Sequence, residues 1–170
     1  MSMPVISQSE VWALYEDALA AAEQCLSKLR IASGETPAFT GLAGWVFEQT
    51  VQHCLRRELA ARGVSASMKE QVKLGRRGKA DLLVGDIALE IKLRGIFSQS
   101  AIDRYANYAR LAHAEGRQYL YLTGGEGYRP YRQGVAAAVG PSNTFFLDTE
   151  GHWQRFIGRV LVLLRRSSVK

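Results

Sequence analysis

Four charged residues, Lys79, Asp81, Glu90 and Lys92, sit within the stretch 78–92 at spacings that one hairpin would bring together. The stretch reads as two short strands joined by Gly85-Asp86. A two-residue loop with glycine first is the signature of a type II′ turn. That turn sets a register of Val84 opposite Ile87, Leu83 opposite Ala88, Leu82 opposite Leu89, Asp81 opposite Glu90 and Lys79 opposite Lys92. Side chains alternate faces along a strand, so the four charges share one face. The other face carries Ala80, Leu82, Val84, Ile87, Leu89, Ile91 and Leu93, and it must be buried against something.

Opposed side chains in such a pair lie roughly 4.5–5.5 Å apart, and like charges at that spacing destabilise a sheet. Asp81 facing Glu90 is therefore a liability unless a cation lies between them. Paired carboxylate oxygens suit a hard divalent ion such as Mg²⁺ or Mn²⁺. Lys92, two residues beyond Glu90, would then lie beside water held on that ion. A plain hairpin with one solvated face is the alternative.

A third carboxylate comes from residues 41–62, which have helical periodicity. At 100° per residue, Glu48 falls within the stripe of Gly41, Gly44, Trp45, Val51, Leu55 and Leu59, with Thr50 and Arg57 on the opposite side. A glutamate on an apolar stripe needs a partner or a metal. The two glycines predict close approach to another element.

A helix with Glu, a strand, an Asp on the next, then Glu-x-Lys on the one after, resembles the PD-(D/E)XK nuclease superfamily. The matching residues are Glu48, Asp81, Glu90 and Lys92, and the resemblance spans about residues 41–123. Ala80 stands where the motif's name has proline, a position with no chemical duty. The resemblance implies an α/β fold with a restriction-endonuclease-like αβββαβ core, a mixed central sheet flanked by helices on both faces. It implies a Mg²⁺-dependent phosphodiesterase, with Mn²⁺ as substitute. Asp81, Glu90 and the backbone carbonyl of Ile91 would hold the ion, and Glu48 would hold a second ion or reach the first through water. Lys92 would orient water and stabilise the transition state. DNA is the expected partner, with RNA left open, and the expected activity is endonucleolytic. The alternatives are a structure-selective, Holliday junction-type resolvase, a defence or toxin nuclease, or a non-cutting nucleic-acid-binding domain of the same fold. Non-cutting members usually lose a ligand or the lysine, and this chain has lost neither. A homodimer is the arrangement that would cut both strands.

The rest of the chain must position these residues. Its 170 residues suffice for one domain with a real core, and 47% hydrophobic with 22% charged content is ordinary for a globular protein. The net charge of +6 suits a polyanionic partner. No signal peptide or membrane-length apolar run is present, so the expectation is a cytoplasmic protein without membrane contact. Cys25 and Cys54 lack metal-ligand spacing and read as reduced core thiols.

Ser7 and Glu10 form a capping box that opens a helix over 8–32, an addition to the core 41–148, with Val11, Leu14, Ala18, Cys25 and Leu29 inward. Residues 33–40 read as a linker whose Thr40 could cap the Glu48 helix. Residues 68–74 alternate as a first strand, placing Glu70 on its apolar phase as a candidate extra carboxylate. The turn Gly75-Arg76-Arg77-Gly78 sets two arginines next to Lys79, as a phosphate contact or as a solvated loop. A helix over 98–114, with Gln99 and Arg104 near its start, faces Ile102, Tyr105, Ala106, Ala109 and Ala112 inward. It leads to a strand at 118–123, which implies a parallel crossover. Residues 126–133 read as a loop in which Tyr128 and Tyr131 alternate with Arg129 and Arg132, a pattern that can stack on bases and hold phosphate. An ordinary surface loop is the alternative there. A short helix at 135–139, a strand at 144–147 and a helix at 150–166 complete the chain.

Overall fold

The capping box forms as expected. Glu10 Oε2 accepts the Ser7 backbone N–H at 2.6 Å, and Ser7 Oγ accepts the Glu10 N–H at 3.2 Å. These close the start of α1 (Gln8–Ser33) in a computed structural model that describes residues 5–34, 41–125 and 127–167. Val11 and Tyr15 are buried, but Cys25 is exposed and Leu29 is 62% exposed. The second half of α1 thus runs past the core, against the expectation that both residues face inward. Of the two thiols, only Cys54 is a core residue. Most of the linker, with Thr40, lies outside the described residues.

After α2 (Leu42–Ala61) come three strands, β1 (Met68–Leu74), β2 (Gly78–Val84) and β3 (Ile87–Lys92). Helix α3 (Gln99–Ala114) is capped by Ser98, whose Oγ accepts the Ala101 N–H at 3.3 Å. It leads to β4 (Gln118–Thr123), and α4 (Arg129–Val139) leads to β5 (Thr144–Phe146). Helix α5 (His152–Ser167) ends the described chain. The expected loop at 126–133 and short helix after it are corrected here. Pro130 stands in the first turn of α4, where its missing N–H costs nothing, so the helix starts at Arg129.

The five strands lie in the order β1-β2-β3-β4-β5. The first three are antiparallel, while β3–β4 and β4–β5 are parallel. The protein is therefore α/β with a mixed sheet. Helices α1, α2 and α5 cover one face, packing on Leu82, Val84, Ile87, Leu89, Ile91, Leu120 and Leu122. Helices α3 and α4 cover the other, packing on Leu83, Ala88, Tyr119 and Tyr121. On α5 the expected inward residues Trp153, Phe156, Ile157, Val160 and Leu164 are all buried. Each such side chain contributes about 1.5–3 kcal/mol when removed from water. Among the described residues, no helix is long and apolar enough to cross a membrane.

Candidate active site

The Gly85-Asp86 turn forms as its sequence requires. Gly85 takes φ +56, and Asp86 is not in the positive-φ region, the combination a type II′ turn needs. The register that follows is Val84–Ile87, Leu83–Ala88 and Leu82–Leu89, and there it stops. Asp81 and Glu90 are next in line but are not ladder partners. Lys79 pairs with Lys73 of β1 and not with Lys92.

The reason is a bend shared by β1 and β2. Gln71, between the Glu70–Leu82 and Val72–Ala80 pairs, has φ +52 and is the sole non-glycine residue with positive φ among those described. That conformation costs an L-residue about 1–2 kcal/mol. Beyond the bend the hairpin leans onto α3. Ala80 therefore packs with Leu74 and the α3 side chains, and not with Leu82 and Val84 as strict alternation predicts. A Cβ on Gly78 would lie 2.6 Å from the Leu74 carbonyl oxygen and 2.9 Å from Leu111 Cδ1, so only glycine permits that approach. Glu115, at the end of α3, accepts the Gly75 N–H at 2.6 Å.

Where β2 leaves β3, the Ile91 N–H needs an acceptor, and Asp81 Oδ2 supplies it at 2.8 Å. The Lys92 ammonium lies 3.0 Å from the same oxygen and 2.7 Å from Glu90 Oε1. Asp81 and Glu90 are buried, while the Lys92 side chain is 30% exposed, so the cluster opens to water on the lysine side. Glu90 Oε2 is buried and has no hydrogen-bond partner among the described residues. Burial first, then the Asp81 charge, push the Glu90 carboxyl up to about 7, against the pull of Lys92. Burial pushes Lys92 down, but Glu90 and then Asp81 outweigh it and hold the ammonium firmly charged.

Glu48 feels the same cluster from α2. Its carboxyl is pushed up to about 7, by burial first and by Asp81 next, with Lys92 and Lys79 opposing. The expected apolar stripe is turned, however. Trp45 is 57% exposed and Thr50 is buried, with its hydroxyl donating to the Val46 carbonyl at 2.8 Å. The buried stripe centres on Phe47, Val51, Cys54 and Leu55, which leaves Glu48 half-buried at its flank. Glu70 is exposed on β1 and adds a further negative charge acting on Glu48.

Among the described residues, no three His, Cys, Asp or Glu side chains form a ready metal cage. The donors at the bend are the two buried carboxylates of Asp81 and Glu90. Mg²⁺ commonly takes one or two carboxylates and keeps several waters, so this oxygen-only set suits it. The unpartnered Glu90 Oε2 supplies a buried acceptor that a cation would satisfy.

The other expected binding residues are more scattered. Arg76, Arg77 and Lys79 are exposed, on the hairpin end that leans toward α3. Gln99 is exposed and donates to Asp103 of its own helix at 3.0 Å. Arg104 and Arg129 are exposed on α3 and at the start of α4. Arg132 is engaged within the fold: it pairs with Asp148, donates to Thr149 Oγ1 at 3.0 Å and covers the Phe146 ring at 4.9 Å. One buried charge was not anticipated from the sequence. Glu58 is fully buried, accepts the Ile6 N–H at 2.7 Å and pairs with Arg62, four residues along the same helix. The i,i+4 spacing was its available signal.

Comparison of the chain with family models, with curated proteins and with solved structures finds no match.

Proposed function

We propose that the chain is a divalent-metal-dependent nuclease of restriction-endonuclease-like fold, hydrolysing phosphodiester bonds in DNA. The observation that carries this reading is the convergence of Asp81 and Glu90 on Lys92 where β2 parts from β3. A buried pair of acids is costly to a fold. Here it coincides with a bent strand and a residue in strained conformation, a combination that tends to mark functional sites.

Asp81, Glu90 and the Ile91 carbonyl would hold Mg²⁺ or Mn²⁺, with Glu48 reached through water. Bound there, the ion would lower the pKa of water and offset charge building on the phosphate. Lys92 stays protonated beside the two carboxylates. It therefore serves as a fixed cation that contacts a phosphate oxygen, and not as a proton acceptor. Its partly exposed side gives the substrate an approach. Arg76, Arg77 and Lys79 supply positive charge on the neighbouring hairpin end, and the net charge of +6 favours a polyanion throughout.

The test is a plasmid-nicking assay with Mg²⁺, with Mn²⁺ and with EDTA, on the wild type and on Lys92→Ala. Metal-dependent nicking that disappears in the variant is the expected result. Oligonucleotide binding without cleavage of plasmid or of single strand under any metal would point to a binding domain of the same fold.

A further inference from the structure

The loops that follow β3 and β4 are tied to each other beside the lysine. The Gly124 N–H donates to the Lys92 carbonyl at 2.8 Å, and the Gly95 N–H donates to the Gly125 carbonyl at 3.0 Å. The Tyr131 hydroxyl donates to the Phe97 carbonyl at 3.3 Å. Between these loops and α1 lies a cleft of about 410 Å³, lined by Trp12, Leu93, Arg94, Phe97, Tyr128 and Tyr131 among others. Gly124 is required there by close approach. A Cβ on Gly124 would lie 2.4 Å from the Leu93 carbonyl oxygen and 3.0 Å from Trp12 Cη2.

The lining is unusual for a surface. Phe97 is 76% exposed and Tyr128 is 58% exposed. Tyr131 and Tyr128 form a T-shaped pair, with ring centroids 4.8 Å apart and planes at 78°, beside the exposed Phe97 ring. Arg94 is exposed and adds a cation to this aromatic surface. Aromatic faces with a guanidinium alongside are the chemistry that holds an unstacked base and its phosphate. The cleft begins one residue beyond the candidate active site along the backbone, since Leu93 follows Lys92 directly and the Gly124 N–H donates to the Lys92 carbonyl.

The geometry points to a base-binding subsite in which one unpaired nucleobase stacks on Phe97 and Tyr128 while Arg94 contacts its phosphate. This deepens the nuclease reading and rests on it for the polymer and the neighbouring scissile bond. It also selects the substrate class. A base inside intact duplex is stacked on both sides and cannot enter, so the substrate is single-stranded nucleic acid or duplex with an extruded base.

The experiment measures binding by fluorescence anisotropy in EDTA, using a single-stranded oligonucleotide, the matching duplex and a single strand with one abasic position. In parallel, 2-aminopurine is moved along the single strand to find a position whose emission changes on binding. Wild type should prefer the single strand, with the emission change confined to one or two adjacent positions. Phe97→Ala combined with Tyr128→Ala should weaken single-strand binding roughly 5- to 150-fold, the range that corresponds to one base–aromatic stack. Duplex binding should change less than about 2-fold, and the local emission change should disappear. Both side chains are largely exposed, so the variant should fold, and a melting curve checks this. Unchanged single-strand affinity, or equal weakening on single strand and duplex, would overturn the subsite. So would disruption of a dimer in sedimentation with oligonucleotide binding intact, which would make the patch a self-association face. Mg²⁺-dependent cleavage is scored separately. Cleavage with binding insensitive to the two substitutions removes the subsite and leaves hydrolysis. Stacking-dependent binding without cleavage removes hydrolysis and leaves the subsite.

Discussion

Asp81 Oδ2 accepts the backbone N–H of Ile91 at 2.8 Å, in the gap where β2 ceases to pair with β3. One carboxylate thus closes a broken sheet ladder and also faces the Lys92 ammonium. The two duties make substitutions at Asp81 separable. Asp81→Asn keeps an acceptor for Ile91 and removes an anion from beside Glu90. Metal-free stability should change by less than about 1 kcal/mol. Asp81→Ala leaves a buried N–H without an acceptor and should cost about 1–3 kcal/mol. If the proposed metal site holds, Mn²⁺ should raise the melting temperature of the wild type, and both variants should lose that rise together with cleavage. Denaturant melts with EDTA and with Mn²⁺ measure this, and equal stability of the two variants would deny the ladder role.

Lys92 neutralises two buried acids at once. Lys92→Met should destabilise the metal-free protein by about 1–3 kcal/mol, below the usual cost of breaking a buried pair because the lysine is partly exposed. Mn²⁺ should raise the melting temperature of this variant more than that of wild type, since a cation replaces the missing ammonium. Cleavage should fall roughly 10²–10⁴-fold. Calorimetry paired with a nicking assay reads both effects.

The Glu90 carboxyl, pushed up to about 7 from an ordinary value of 4.5, sets a pH dependence. Below 4.5 the group is neutral in both folded and unfolded chains and costs nothing. As pH rises through 7 the fold must bury its charge, so stability is lost across that window. Metal-free wild type should therefore lose about 1–3 kcal/mol of Glu90-linked stability from about pH 5 to pH 8. Glu90→Gln should flatten the profile by that amount. The stabilisation given by Mn²⁺ should run the opposite way and shrink below about pH 7, because a ligating carboxylate must be deprotonated.

Glu58 is the contrasting acid, buried for structure. Glu58→Ala removes the acceptor for Ile6 and the carboxylate paired with Arg62. It should cost about 3–5 kcal/mol, the range for opening a buried charge pair. Cleavage per folded molecule should stay at the wild-type level, which an assay well below the melting temperature can show.

The arginines should divide by what holds them. Arg76→Ala with Arg77→Ala should weaken oligonucleotide binding and make its salt dependence shallower, by roughly 0.7–0.9 in slope for each phosphate the variant no longer neutralises. Arg132→Ala should instead lower the melting temperature and leave the salt slope alone, since Asp148, Thr149 and Phe146 already occupy its guanidinium. Titrations at several salt concentrations separate the two.

Local patterns fixed much of this protein. Gly85-Asp86 determined the turn and the first pairs of the β2–β3 register, because a two-residue loop with glycine first admits few geometries. Ser7 and Glu10 determined where α1 begins. The period-3.6 pattern of α5 determined its inward face, since five large apolar residues outweigh any other orientation. Glu48, Asp81, Glu90 and Lys92 were candidates by their types and spacing. The tertiary structure alone decided how Asp81, Glu90 and Lys92 meet. Strict alternation places Asp81 directly opposite Glu90, but the bend at Gln71 and the seat of Gly78 against Leu111 draw β2 away. Asp81 consequently faces the Ile91 N–H, and Lys92 fills the space between the acids. Sequence periodicity carries no record of such a bend, because it depends on a helix packed more than thirty residues away in the chain. The flank position of Glu48, the outward turn of Trp45 and the capture of Arg132 by Asp148 share that cause. Each depends on which neighbour claims a side chain first, and those neighbours are distant in sequence.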